Sequence, residues 1–255
     1  MYKPSFKTKR NGVPVLSKDD IDNIAENYLL DFCPESMRTP QEIDIDSFAL
    51  NYLKLNQDFQ YLSHKGIYLG MMVFKDTKKV PVYIPARKEA DYIEAKARTI
   101  IIDNTLLDEN QEHRYRYTMG HECGHDIYHK YYYVKELPNQ ISLFEDIDEP
   151  LIRCRVVNNF KKDRRLWTDS DWMEWQSNYM SSALLMPKSM VIKAVKDTNF
   201  KGKKILTDYI KVGTISKIFN VSIEAATYRL EGLGIIDKDI VDIHNYTEAF
   251  VNLCS

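Results

Sequence analysis

Residues 119–129 constrain this chain more than any other stretch, because they contain the pattern His-Glu-x-x-His at positions 121–125. On a helix, residues four positions apart share a face, so His121 and His125 can direct imidazole nitrogens at one small cation. Zinc favours imidazole nitrogen and carboxylate oxygen, and a catalytic zinc site keeps one position open for water. Glu122 lies one residue round the same turn, where it can act as a base on that water without binding the metal.

The alternative interpretation of this pattern is a surface helix whose polar side chains are solvated. Its surroundings favour the metal site. A run with strand character, residues 98–103, comes before the pattern, and the polar segment 108–111 can start a helix. A helix over about 108–130 is therefore predicted to carry the two histidines.

Two histidines do not complete a catalytic zinc site, so a third protein ligand must come from elsewhere. Apolar residues at helical spacing from Met173 to Leu184 predict a second helix, which Ser170 or Asp169 can cap and which Pro187 follows. Glu174 and Asn178 lie four residues apart on one face of it. In the gluzincin group of zinc peptidases, a helix supplies a glutamate ligand, and an acidic or amide residue one turn later orients a ligating histidine. Glu174 and Asn178 resemble that pair.

His129 is a competing third ligand, because it lies four residues after His125. Three ligands along one straight helix span about 12 Å at a rise of 1.5 Å per residue, which is too long for one zinc ion. His129 is therefore predicted either to be structural or to contact a metal-ligating side chain without binding the metal itself. A further group should stabilise the oxyanion of a reacting carbonyl, and the sequence does not choose among Tyr179, Tyr128 and His113.

Runs of β-branched and aromatic residues between about 66 and 103 predict three to four strands. The runs are Ile67–Phe74, Val80–Ile84 and Thr99–Ile102. As an edge strand, segment 97–103 would hold a peptide through backbone hydrogen bonds; the alternative is an interior strand. Helices are predicted over about 17–32 and from Pro40. These elements predict an α+β fold with a zincin-like core, in which a small sheet lies beside the His121 helix.

The chain is predicted to divide into a peptidase domain, residues 1–200, and a C-terminal helical module, residues 201–255. Within the module, segments 214–219 and 222–232 are separated by a turn, in a helix-turn-helix-like pattern. Residues 213–255 carry three basic and six acidic side chains, a net charge of −3, whereas DNA phosphates attract the opposite sign. Nucleic-acid binding is therefore not expected, and a packing or substrate-recognition role is favoured.

The overall composition is that of a globular protein. The formal net charge is −2, and no apolar run approaches the length of a membrane-spanning helix. The basic N-terminus precedes no apolar run of the kind found in secretion signals. The four cysteines form no Cys-x-x-Cys pair, which is typical of free thiols in a reducing compartment, and a cytoplasmic location is expected. Residues 188–204 carry six lysines and are predicted to form an exposed loop.

Several blocks together resemble the ImmA/IrrE metallo-endopeptidase family. They are residues 98–104, residues 112–125 with the two histidines, residues 174–187 with the phrase Leu-Leu-Met-Pro, and residues 219–234. The blocks follow one another in the family's order over about 95–235. The chain departs from the family in its long linker, 131–170, and in Ser177, where alanine is usual.

The resemblance implies an intracellular single-zinc peptidase that cleaves a helix-turn-helix repressor and so releases mobile-element or stress genes. His121, His125 and Glu174 fall on the family's zinc ligands, and Glu122 on its catalytic glutamate. Two alternatives belong to other classes. One is a DNA-binding regulator with a non-catalytic zinc site, and the other is a module that sequesters its repressor without cutting it.

Overall fold

The computed structural model describes residues 1–134, 151–155, 163–197 and 204–249. The helices are Lys18–Phe32 (α1), Ile45–Ser47 (α2), Glu112–Val134 (α3), Asp169–Leu185 (α4), Lys188–Asp197 (α5), Lys204–Phe219 (α6) and Ile223–Gly232 (α7). The strands are Asn56–Gln60 (β1), Tyr68–Val73 (β2), Thr77–Ile84 (β3), Glu89–Ala95 (β4), Thr99–Asp103 (β5) and Leu151–Arg155 (β6). Within these ranges no helix is both long and apolar enough to cross a membrane. The predicted α+β class is confirmed.

The larger sheet has the strand order β1-β5-β2-β6, with β1 parallel to β5 and the other neighbours antiparallel. Strand β5 is buried along its whole length, which explains its continuous apolar run. Of the two interpretations of segment 97–103, the interior strand is correct and the peptide-binding edge is wrong. The outer strands of this sheet, as far as the chain is described, are β1 and β6.

Strand β2 has a different neighbour on each face, because its successive side chains point to opposite sides. Met71 and Val73 join a buried apolar cluster that includes residues of the β3–β4 hairpin. On the other face, a Cβ added at Gly70 would lie 2.6 Å from Glu122 Oε1 and 2.6 Å from Thr118 Cγ2. The hairpin therefore covers one face of β2, and helix α3 covers the other.

The chain divides into two compact units. The sheet unit comprises residues 3–21 and 45–181, and contains both sheets, α3 and most of α4. The helical unit comprises residues 1–2, 22–44 and 182–255, and contains α5, α6, α7 and most of α1. Each unit is built from separated stretches of chain. The predicted single boundary after residue 200 stays a prediction.

Local signals explain which elements could be predicted. Ser17 and Asp20 cap the start of α1 reciprocally, and the helix predicted over 17–32 is confirmed. The helix predicted from Pro40 begins only at Ile45. Strands β1 and β4 were not predicted, because they are rich in polar and acidic residues that are uncommon in strands.

The loop predicted over 188–204 is wrong for residues 188–197, which form α5 with Met190, Val191 and Ala194 buried. The prediction failed for this segment because Lys193 and Lys196 lie on the exposed side of an amphipathic helix. Most of the 131–170 linker lies outside the described residues.

The helical unit contains the predicted helix-turn-helix-like pattern as α6, a turn at Asn220 and α7. Asn220 has a positive φ of 50°, and the Ser222 side chain accepts a hydrogen bond from the Ala225 amide to cap α7. Arg229 of α7 is 2% exposed. Its Nη2 donates to Asp22 Oδ1 at 2.7 Å, and its Nε donates to the Met186 carbonyl oxygen at 3.0 Å.

Candidate metal centre

Helix α3 carries the His-Glu-x-x-His pattern through the interior of the sheet unit. His121, Glu122 and His125 are each 0% exposed. The spacing of four residues places the two imidazoles on one helix face, with their Nε2 atoms 2.9 Å apart. Burying three polar side chains together costs free energy unless hydrogen bonds or a metal ion compensate for the lost water. This burial therefore points to a function rather than to stability.

Helix α4 brings Glu174 to the same point. The helix starts with reciprocal capping between Thr168 and Asp171. Glu174 Oε2 lies 3.4 Å from His121 Nε2, and Glu174 Oε1 lies 3.5 Å from His125 Nε2. The side chain of Glu174 is 27% exposed, whereas those of the two histidines are buried, so the group opens to solvent on the glutamate side.

Small residues allow α3 and α4 to approach closely enough for these contacts. A Cβ added at Gly120 would lie 2.6 Å from Ser181 Oγ, and one added at Gly124 would lie 3.0 Å from Ser177 Cα. Any larger residue at either glycine would force the helices apart. The two glycines therefore set the crossing that places Glu174 opposite the histidines.

Asn178 lies one turn after Glu174 and contacts His121. Its Nδ2 donates to the Glu174 carbonyl oxygen at 2.9 Å, and its Oδ1 lies 3.2 Å from His121 Nδ1. A carbonyl oxygen can only accept, which fixes the amide with Oδ1 toward the imidazole. In a neutral His121, Nδ1 is then the donor and Nε2 keeps its lone pair for a metal.

The carboxylate of Glu122 is buried between α3 and β2. Both of its oxygens lack a hydrogen-bond partner among the described residues. Burial raises the pKa of Glu122 to about 8; the Glu174 charge adds to this shift and His121 opposes it. Gly70 makes the space, since a side chain there would collide with Glu122 Oε1.

The donor atoms fit a zinc ion. His121, His125 and Glu174 offer ligand atoms that all lie within 4.8 Å of one another. Tetrahedral zinc with bonds of about 2.0–2.1 Å holds its ligand atoms roughly 3.3 Å apart. The two Nε2 atoms are 2.9 Å apart, and they lie 3.4 and 3.5 Å from Oε2 and Oε1 of Glu174, respectively. This group could therefore bind a metal ion, and the choice of zinc stays a prediction.

The protonation states of the group suit metal binding. Burial lowers the pKa of His125 to about 4, outweighing the opposite effect of the nearby Glu174 carboxylate, which can accept a hydrogen bond from protonated His125. Burial alone would raise the pKa of Glu174, but the neighbouring imidazoles of His121 and His125 hold it well below its usual range. Neutral imidazole and ionised carboxylate are the forms that ligate metals.

The three predicted oxyanion donors lie in different surroundings. The hydroxyl of Tyr128 is buried and donates to Met180 Sδ at 3.3 Å. The ring of Tyr179 packs against Trp175, with 5.8 Å between ring centroids. His113 is exposed in the first turn of α3, roughly 12 Å along the axis from the first metal-site histidine. The structure does not bring these three together.

Sequence reasoning missed other residues around the group. The hydroxyl of Tyr117, one turn before His121, donates to the Asn178 carbonyl oxygen at 3.0 Å. Arg98 binds both carboxylate oxygens of Asp126, at 3.0 and 2.8 Å, and so ties the start of β5 to α3 one residue after His125. The i−4 spacing could have identified Tyr117, but no sequence signal pairs Arg98 with Asp126.

A family model described as the IrrE N-terminal-like domain, a peptidase family, matches residues 152–231. The match confirms the resemblance to the ImmA/IrrE family. It includes α4, with Glu174 and Asn178, and reaches into α7; helix α3 lies outside the matched range. No curated protein matches the chain.

Proposed function

We propose that this chain is a zinc-dependent endopeptidase. One observation carries the proposal: His121, His125 and Glu174 converge, and Glu122 lies beside them without joining the group. A structural metal site has no use for a buried glutamate that ligates nothing, whereas metal-assisted hydrolysis needs a base in that place. The peptidase family match supports the same class of reaction.

In this proposal His121 Nε2, His125 Nε2 and the Glu174 carboxylate hold the zinc ion, and Asn178 orients His121. When bound, zinc supplies Lewis-acid chemistry, polarising the scissile carbonyl and lowering the pKa of water. Glu122 takes the proton of the attacking water and then delivers it to the leaving amine nitrogen. Its burial keeps the carboxylate poorly solvated, which strengthens it as a base.

The proposed substrate is a helix-turn-helix repressor in the cytoplasm, an inference from the ImmA/IrrE resemblance. The C-terminal module would then recognise protein rather than DNA. Residues 213–255 have a net charge of −3, and one of their three basic residues, Arg229, is buried against Asp22 rather than available to phosphates.

The direct test is Glu122→Gln assayed on a co-expressed repressor. We expect the variant to retain zinc and to lose cleavage, because glutamine keeps the shape of the side chain but is not a base. Equal inactivation of the repressor by both proteins, without a cleaved fragment, would instead support the sequestering module. If the full-length protein retards DNA in an electrophoretic mobility-shift assay, the DNA-binding regulator is supported.

A further inference from the structure

On its Nδ1 side, His125 begins a series of side-chain contacts that ends at a backbone carbonyl. Gln176 Nε2 donates to the Pro14 carbonyl oxygen at 2.9 Å. Gln176 Oε1 lies 2.9 Å from His129 Nε2, and His129 Nδ1 lies 2.9 Å from His125 Nδ1. His129 and Gln176 are 0% and 1% exposed, so water does not compete for these contacts.

The direction of every hydrogen bond in this series of contacts follows from the bond to the Pro14 carbonyl. The Pro14 carbonyl can only accept, so Gln176 presents its NH₂ group to it and its oxygen to His129. That oxygen can only accept, so His129 Nε2 carries the hydrogen. A neutral imidazole has one N–H, which leaves His129 Nδ1 as an acceptor and makes His125 Nδ1 the donor. The Nε2 atom of His125 is then left with a lone pair.

We propose that His129 and Gln176 are positioning residues that fix the tautomer and ring orientation of His125 for metal binding. His125 Nε2 then directs its lone pair at the same space as His121 Nε2, 2.9 Å away. Two lone pairs at that separation repel each other unless a cation lies between them. This inference rests on the proposed function only in taking His125 as a metal ligand.

The same contacts explain why His129 is not a third ligand from α3. Its Nδ1 faces His125 Nδ1, the nitrogen on the side of the ring away from the metal group, and its Nε2 faces Gln176. Glu174, from a different helix, supplies the third donor atom. The histidine repeat at 121, 125 and 129 therefore contains two ligands and one support.

The first experiment observes the tautomers directly. Long-range proton–nitrogen correlation spectra of the metal-free wild-type protein should show His125 and His129 as opposite neutral tautomers, with the hydrogen on Nδ1 of His125 and on Nε2 of His129. A hydrogen on Nε2 of His125 overturns the proposal. Substituting Gln176→Leu should change the His129 signal, because the acceptor for its Nε2 hydrogen is removed.

The second experiment measures zinc affinity by competition with a chromophoric chelator. His129→Leu and Gln176→Leu should each weaken binding about 10- to 100-fold, the usual effect of removing the partner of a ligating histidine. His129→Asn should recover much of the loss, because an amide oxygen can accept from His125 Nδ1. Ser177→Ala is the matched control: the residue is adjacent and equally buried, and its hydroxyl lacks a partner among the described residues.

The outcomes separate this proposal from the proposed function. Unchanged zinc affinity in His129→Leu overturns the positioning role even if the wild-type protein cleaves a repressor. Weakened zinc binding that His129→Asn restores supports the positioning role even if no substrate is ever cut. A loss in His129→Leu that His129→Asn does not reduce at all also overturns it, since a general packing defect would then account for the effect.

Discussion

Glu122 in the sheet unit and Arg229 in the helical unit are both almost completely buried, yet their surroundings differ in kind. Two of the three guanidinium nitrogens of Arg229, Nη2 and Nε, donate to the Asp22 carboxylate and to the Met186 carbonyl, respectively. Glu122 lies in an equally buried position, and neither of its oxygens has a hydrogen-bond partner among the described residues. The first arrangement stabilises a buried charge, whereas burial raises the pKa of Glu122 to about 8, as expected for the proposed base.

This contrast separates a buried ion pair that stabilises the fold from a buried carboxyl group with the proposed catalytic role. A protein that buries a charge for stability surrounds it with counter-charge and hydrogen bonds. A protein that buries a base for catalysis leaves it poorly solvated and close to the site of reaction. Substitutions in the two places should therefore have opposite profiles, one lowering activity and the other lowering stability.

The largest expected effect is that of Glu122→Gln on peptide hydrolysis. The rate should fall about 10²- to 10⁴-fold, the usual contribution of a general base. Thermal unfolding of the metal-free variant should occur no lower than that of the wild type, because an uncompensated buried carboxyl is replaced. A variant that hydrolyses peptide at the wild-type rate would show that Glu122 is not the base.

Arg229→Met should have the converse profile. Breaking a buried ion pair leaves Asp22 uncompensated, and the free energy of unfolding should fall by about 3–5 kcal/mol in denaturant titration. Adding Asp22→Leu should recover much of this loss, because two apolar residues then replace the pair. Zinc affinity should stay at the wild-type value in any fraction that remains folded. If Arg229→Met alone is as stable as the wild-type protein, the structural role assigned to this pair is contradicted.

Gly70→Ala tests whether the position of Glu122 matters as much as its charge. The added Cβ would meet Glu122 Oε1 at 2.6 Å, so the carboxylate must shift. A displacement of about 1 Å can cost up to about 100-fold in rate, and hydrolysis should fall by up to that amount. Zinc affinity is the internal control and should change little, since Glu122 is not among the proposed zinc ligands. Equal losses of zinc and of activity would place Glu122 inside the ligand set.

Ser177→Ala should have the smallest effect. The serine hydroxyl is buried without a partner among the described residues, so removing it should raise the free energy of unfolding by about 1 kcal/mol. The substitution also introduces the alanine that is usual in the ImmA/IrrE family. Activity and zinc affinity should remain at wild-type values. A clear loss of stability would show that the hydroxyl has a role that the fold does not reveal.

The sequence predicts those parts of the site that depend on short spacings. His121 and His125 lie on one face because they are four residues apart, and Glu174 and Asn178 share a face for the same reason. The contact between Gln176 and Pro14 joins residues 162 positions apart, and no local pattern encodes it. It arises from packing of the N-terminal segment within the sheet unit.

The same limit applies to the fold. Apolar runs predict the buried strands, whereas β1 and β4 are polar and become strands because a neighbour offers a backbone ladder to pair with. The interior position of β5 follows from strand order, which its own apolar sequence allows but does not specify. Glycine at positions 70, 120 and 124 becomes interpretable only when the element that approaches it is known.

The most direct test of the central claim is a zinc titration of the wild-type protein beside Glu174→Ala, with Glu112→Ala as a control that removes an exposed carboxylate from the start of α3. We predict one zinc ion per wild-type chain, wild-type affinity in the control, and a loss of more than about 100-fold in Glu174→Ala, because a ligand should contribute more than the partner of a ligand. Equal zinc affinity in all three proteins would contradict the account, since the two histidines would then bind the ion without the carboxylate that completes the site.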